Sequence, residues 1–163
     1  MMAHGSWWAD EAGKGYRLAD GLNDRMDRWY YIAEGRLSEK YYRHAIALIN
    51  RNFTCTQCNA PLEIQKDFFR AQYVSCRFCN AVNTFEPDTK YAMIGWNVVD
   101  SMAALYALEE HDAMRRANRD GKTGYDHAVR RYYERYFDER IKLLPHTAVT
   151  REQDIERKLK QSI

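Results

Sequence analysis

The sequence predicts an α+β chain that is mainly helical, a bundle of long helices carrying a small three-stranded insert. Two observations lead there. Apolar residues recur three and four positions apart on both sides of a central segment, from Leu18 to about Asn50 and again from Met93 to Leu144, which is the period of a buried helix face. Between these stretches, all four cysteines fall in Cys55-Thr-Gln-Cys58 and Cys76-Arg-Phe-Cys79, with 17 residues separating the two pairs. With 163 residues, 45% of them hydrophobic, the chain can bury a core without cross-links.

Taken in order, residues 1–16 are small, polar and glycine-bearing, and read as a flexible arm. Trp7 and Trp8 are its exception: they either tuck onto the core or anchor on a partner, since exposed large aromatics mark interaction sites. The helical body covers 17–51 and 91–145. Its first helix has Leu22, Met26, Trp29, Ile32 or Ala33, Leu37, Tyr41, His44 or Ala45 and Leu48 along one face expected to be buried. Gly35, which costs about 1 kcal/mol relative to alanine in a helix, either divides it or marks the close approach of another backbone.

Residues 52–90 form the insert. Leu62-Glu-Ile64, Gln72-Tyr-Val74 and Val82-Asn-Thr-Phe85 alternate or are rich in β-branched and aromatic residues, so three short strands are expected. Phe53, Phe68, Phe69, Phe78 and Phe85 are expected to include the contacts that fix the insert on the helices. A second long helix, about Met93 to Asn118, is expected to be buried near its start. Asp120 to Gly124 reads as a turn; Gly121-Lys122-Thr123 resembles a phosphate-loop ending, but Arg116 stands where the first glycine would be and no strand precedes it. A third helix runs from Tyr125 to Leu144 and stops before Pro145. Thr150 and Gln153 are spaced as a capping box for a last helix within 146–163, which is too short to stand alone and must dock.

The cysteine spacing is that of a tetrahedral four-sulfur zinc site, in which each Cys-x-x-Cys turn presents two sulfurs to one ion. Two disulfides, or an iron or redox-active thiol centre, are the other uses of the pattern. An asparagine follows each second cysteine, Asn59 and Asn80, where the turn needs a positive φ that asparagine tolerates. The segment from Phe53 to Phe85 thus resembles a zinc ribbon, the rubredoxin-like four-cysteine fold. That resemblance implies one structural Zn2+ held by Cys55, Cys58, Cys76 and Cys79. It covers about a fifth of the chain and says little about function, because one fold hosts many functions.

Four thiolates leave no open coordination position, whereas a catalytic zinc keeps one. The histidines lie outside the insert. His44, His111 and His127 read as solvent-facing or hydrogen-bonded helix positions, and Glu110-His111-Asp112 as a solvated face, so the chain is not expected to be an enzyme. No apolar run of signal or membrane-span length occurs, and the expected setting is a reducing, cytoplasm-like compartment. The expected role is a non-catalytic adaptor or assembly subunit acting through protein contacts. Tyr133 and Phe137 of the third helix, together with Trp7 and Trp8, are its expected partner-binding residues.

Nucleic-acid binding is the alternative. Residues 52–90 balance four basic against four acidic residues, and residues 91–144 hold nine of each, so the concentrated basic face that phosphate binding needs is not evident.

Overall fold

The first helix, α1 (His4–Asn52), is 49 residues long and unbroken; no proline occurs before Pro61 to interrupt its ladder. A computed structural model describes residues 4–119 and 124–162 of the chain. Residues 4–16 of the expected arm therefore belong to α1, and residues 1–3 lie outside the described residues. Beyond α1 come the strands β1 (Gln72–Ser75) and β2 (Val82–Phe85), then α2 (Thr89–Tyr106), α3 (Leu108–Arg119), α4 (Tyr125–Leu143), a 3-10 turn (Pro145–Thr150) and α5 (Arg151–Ser162). No helix among the described residues is long and apolar enough to cross a membrane. The expected turn at 120–124 lies, but for Gly124, outside the described residues.

Gly35 leaves α1 undivided and marks a close approach instead. A Cβ there would lie 2.5 Å from Leu105 Cβ and 3.0 Å from the Ser101 carbonyl oxygen of α2. Small residues govern the whole contact: Gly35, Ser38 and Ala45 are buried with Tyr42 on one side of α1, and such a face lets two helices meet at short range. This corrects the expected orientation for the first part of the helix, while Ala45 and Tyr41 of the expected face do meet the core. Leu22, Met26, Trp29 and Leu37 are 49, 61, 70 and 68% exposed, on the opposite side at about 100° per residue. Apolar spacing existed on both sides of this helix, and the body took the one with the smaller residues.

The main core joins the helices to the insert. Tyr42 and Ala45 of α1, Val98 and Met102 of α2, and Ile64, Phe68 and Phe85 of the insert form one buried cluster, with Phe53 and Phe69 packed against it. Phe69 lies over Gly95, where a Cβ would come within 2.3 Å of its ring. Phe78, by contrast, is 77% exposed and fixes nothing. Trp96, expected to be buried, is half exposed and flanked by the Arg140 guanidinium 4.9 Å from its ring centre. Asp67 Oδ2 to His146 Nδ1, 2.8 Å, ties the insert to the segment after α4.

The expected second helix is divided at Ala107 into α2 and α3. The hydrogen-bond ladder still continues, from the Ala107 N–H to the Ala103 carbonyl and from the His111 N–H to the Ala107 carbonyl, each 3.0 Å. Ion pairs hold α3 on α1: Arg28 to Asp112 at 2.9 Å, Arg115 to Asp27 at 2.9 Å, and Arg115 and Arg119 with Asp24. In the last helix Ile155 is fully buried and Arg151 is bonded to Asp138 of α4 at 2.7 Å. The capping box does not form; Thr150 Oγ1 donates to Asp154 Oδ2 at 2.9 Å, with the Thr147 carbonyl oxygen 3.2 Å away as the alternative acceptor.

His111 corrects the reading of its segment as a solvated face. It is buried between the rings of Tyr31 and Tyr132, 4.8 and 5.1 Å away, and its Nδ1 has no hydrogen-bond partner. Burial, aided by the Arg115 guanidinium and opposed by Asp112 and Asp27, holds its pKa below the ordinary histidine value. The folded chain thus takes up this proton less readily than the unfolded one. Its stability is complete above about pH 6.5 and declines as pH falls through that value towards the lowered one. Thermal unfolding between about pH 7 and 5.5 should show this decline, and His111→Phe should flatten it; an unchanged slope in the variant would remove His111 as its source.

Candidate metal centre

Two equivalent turns build the site. In the first, the Asn59 N–H donates to the Cys55 carbonyl at 2.9 Å and the Cys55 N–H to the Ala60 carbonyl at 2.8 Å; in the second, the Asn80 N–H donates to Cys76 at 3.0 Å and the Cys76 N–H to Ala81 at 2.9 Å. Asn59 and Asn80 have φ of 60° and 58°, the left-handed conformation that their residue type tolerates. The second turn closes the antiparallel pair β1–β2, whose register ends at Ser75 opposite Val82. A single antiparallel bridge, Thr54 to Pro61, flanks the first.

The sheet therefore has two strands where three were expected. Leu62 to Ile64 is not a strand: the Leu62 N–H donates to the Phe53 carbonyl at 2.9 Å next to the single bridge, and the Ile64 backbone is satisfied by a side chain. Asn50, near the end of α1, accepts from the Ile64 N–H at 2.7 Å and donates to the Ile64 carbonyl at 3.0 Å. One asparagine does locally what a neighbouring strand would have done, and anchors the insert to α1 as well.

The sulfurs of Cys55, Cys58, Cys76 and Cys79 all lie within 4.8 Å of one another. Cys55 to Cys79 and Cys58 to Cys76 are each 3.6 Å apart, too long for disulfides, whose sulfurs stand about 2.05 Å apart. Four sulfurs at about 2.3 Å from a central ion would be about 3.8 Å apart in a tetrahedron, so the cluster fits a tetrahedral metal ion. Cys55 and Cys76 are buried, Cys79 partly so, and Cys58 exposed.

The thiols divide electrostatically. The Cys58 and Gln57 N–H groups hold the Cys55 pKa down at about 6, and the Cys79 and Phe78 N–H groups lower that of Cys76. Cys79 goes the other way, to about 12: the Ala81 N–H favours its thiolate but is outweighed by desolvation and by the bonds it shares with the other sulfurs. Negative charges this close do not coexist without a counter-charge, and a divalent cation would let all four ionise.

Asn83, passed over in the sequence as a strand residue, supports this centre. It is buried, accepts from the Thr56 N–H at 2.9 Å and the Thr56 hydroxyl at 3.1 Å, donates to the Ala81 carbonyl at 3.1 Å, and lies 3.6 Å from Cys55 Sγ. It braces both turns. Its signal was an amide two residues before Phe85, on the face of β2 that alternation turns inward. Asn83→Leu should weaken metal binding roughly 10–100-fold, as loss of an outer support does, measured by competition with a chromophoric chelator; unchanged affinity would confine Asn83 to a packing role.

The expected partner residues fall in two places. Phe137 is buried and Tyr133 partly buried. They lie on the side of α4 where Arg130 bonds Glu156 and Tyr133 OH lies 3.5 Å from Ser162 Oγ of α5. On this ridge Arg130 and Tyr133 thus meet the chain's own last helix. Trp7 and Trp8 remain 58 and 67% exposed, edge to face at 5.5 Å.

No family model matches this chain, and neither does any curated protein or solved structure.

Proposed function

We propose that the four cysteines hold one structural zinc ion and that the chain is a non-catalytic assembly subunit acting through protein contacts. The all-sulfur donor set supports zinc, since soft thiolates in tetrahedral array select it or iron–sulfur centres. It also supports a structural role, because four protein ligands leave no position for water or substrate. The observation that carries the interaction reading is the uncovered apolar face of α1, where Leu18, Leu22, Met26 and Trp29 are 76, 49, 61 and 70% exposed. A monomer rarely leaves such a surface to water unless it is an interaction site.

One observation favours the second reading, nucleic-acid binding. Tyr73 and Phe78 are 80 and 77% exposed on the insert, beside Arg77, and exposed rings can stack bases. Charge weighs against it. Of the helix arginines that would meet phosphate, Arg115 and Arg119 are paired with Asp24, Arg130 with Glu156, Arg135 with Glu139 and Arg140 with Asp100.

Binding of the zinc-loaded chain to duplex and single-stranded DNA and RNA across a salt series separates the two. Tight association at low salt that weakens steeply as salt rises would overturn the interaction reading. No association, together with a stoichiometric protein complex disrupted by Leu22→Asp and Trp29→Asp at full zinc content, is the expected result.

A further inference from the structure

We infer that the apolar face of α1 is a self-association surface on which two copies of this chain pair as antiparallel helices. The inference rests on the reading of the chain as an interaction subunit and names its partner. Trp7, Trp8, Leu18, Leu22, Met26 and Trp29 are 58, 67, 76, 49, 61 and 70% exposed. At 100° and 1.5 Å per residue they fall within about 100° of the helix circumference and extend for about 33 Å. The α3 helix does not obstruct them, because it is held on the other side of α1, at Asp24, Asp27 and Arg28.

Area favours a stable partner. With roughly 100–150 Å2 from each large side chain the stripe presents about 800 Å2, more than the roughly 300–600 Å2 of the largest patch on an ordinary monomer. Two such stripes face to face bury about 1,600 Å2, the standard size of a specific interface.

Sequence spacing favours a second copy of this chain. Trp8, Gly15, Leu22 and Trp29 stand seven residues apart. When two such helices are apposed antiparallel about a two-fold axis between residues 18 and 19, the ladder maps onto itself: Trp8 faces Trp29, and Gly15 faces Leu22. That is the self-complementarity a two-fold interface requires. Glycine is the least favoured residue after proline in a helix interior, yet at Gly15 a Cβ would meet nothing within 4 Å in its own chain. Packing inside the chain gives no reason for it. The gap it leaves in the stripe receives the apposed Leu22.

Charge points the same way. In this register Glu11 faces Met26 of the other copy, beside that copy's Arg25. Among the described residues Glu11 bonds the nearby Lys14 and Arg25 has no ion pair; at 100° per residue Glu11 lies within the stripe and Arg25 at its edge, so two symmetric Glu11–Arg25 pairs neutralise the carboxylate that each copy places in the seam. Residues 4–30 carry Asp10, Glu11, Asp20, Asp24 and Asp27 against Lys14, Arg17, Arg25 and Arg28. This excess of one negative charge gives no attraction to anionic lipid, which an interfacial helix of the basic type would have.

The test uses the full-length, zinc-loaded chain in sedimentation equilibrium and light scattering over a concentration series. A mass of twice 19.3 kDa is expected. Leu22→Asp with Trp29→Asp should raise the dissociation constant by about 100-fold or more, with zinc content unchanged. Glu11→Arg and Arg25→Glu should each weaken the dimer, and their combination should recover part of the loss. A p-benzoylphenylalanine in place of Trp8 should cross-link to the peptide containing Trp29 of the other copy.

A monomer throughout the series, a dimer indifferent to the double substitution, or a cross-link from position 8 to position 8 would each overturn the pairing. So would a monomer that co-sediments with neutral or anionic phosphatidylcholine–phosphatidylserine vesicles. A monomer forming a stoichiometric complex with a different protein would overturn the pairing and leave the interaction reading intact, whereas salt-sensitive nucleic-acid binding would remove that reading itself.

Discussion

Cys76→Ser should release the metal and loosen more than the insert. A four-cysteine zinc site contributes on the order of 10 kcal/mol of folding free energy, comparable to the roughly 5–15 kcal/mol that holds a whole domain together. The insert does not keep that contribution to itself. Ile64, Phe68 and Phe85 share one core with Tyr42, Ala45, Val98 and Met102, and Asn50 bonds the Ile64 backbone. In hydrogen exchange, the end of α1 and the first half of α2 should lose protection together with residues 53–86. The pair α4–α5 should retain it, since Val129, Phe137 and Ile155 are buried there, away from the cysteines in sequence. A chelator added to the unaltered chain should give the same pattern. Loss of protection confined to 53–86 would show the insert to be an independent module, and loss throughout would make it the organiser of the entire fold.

The cysteine cluster was legible because its determinants are local. Two residues separate the sulfurs within each turn, and the asparagine after each turn declares its positive φ. The helices were legible as helices for a similar reason, except that the glycines of residues 4–16 lowered the apparent propensity and concealed the true start of α1. What the sequence did not disclose depends on partners distant along the chain. Nothing in Leu62-Glu-Ile64 reveals that Asn50 will satisfy the Ile64 backbone in place of a strand. Nothing in α4 alone indicates that α5 returns to meet Arg130 and Tyr133. The orientation of α1 was misread for a subtler reason: large apolar residues mark a buried face by transfer free energy, but Gly35, Ser38 and Ala45 permit the closer helix contact. The stripe with the larger residues was left for another occupant.

The junction between insert and body should also respond strongly to one side chain. Phe68 is wholly buried, with the rings of Phe69, Tyr42 and Tyr91 centred 4.1, 5.0 and 6.1 Å from its own. Phe69 in turn fills the space over Gly95, so a cavity at Phe68 cannot collapse without moving a ring held against a helix backbone. Phe68→Ala should cost about 3–5 kcal/mol, lowering the unfolding midpoint by roughly 6–20 °C for a chain of this size. Phe78→Ala makes the matched control. It is another phenylalanine of the same insert, next to a cysteine, but 77% exposed, and its loss should stay within about 0.5 kcal/mol. Freshly purified Phe68→Ala should still contain its full zinc, because this ring belongs to the cluster of Tyr42, Ile64 and Met102 and the cysteines Cys55 and Cys76 to a second one with Leu62, yet it should surrender the metal to a chelator faster as the junction opens more often. Equal midpoints for the two variants would place the energetic centre of the fold away from this aromatic cluster, and zinc missing from Phe68→Ala at purification would show that the turns depend on the junction even to form.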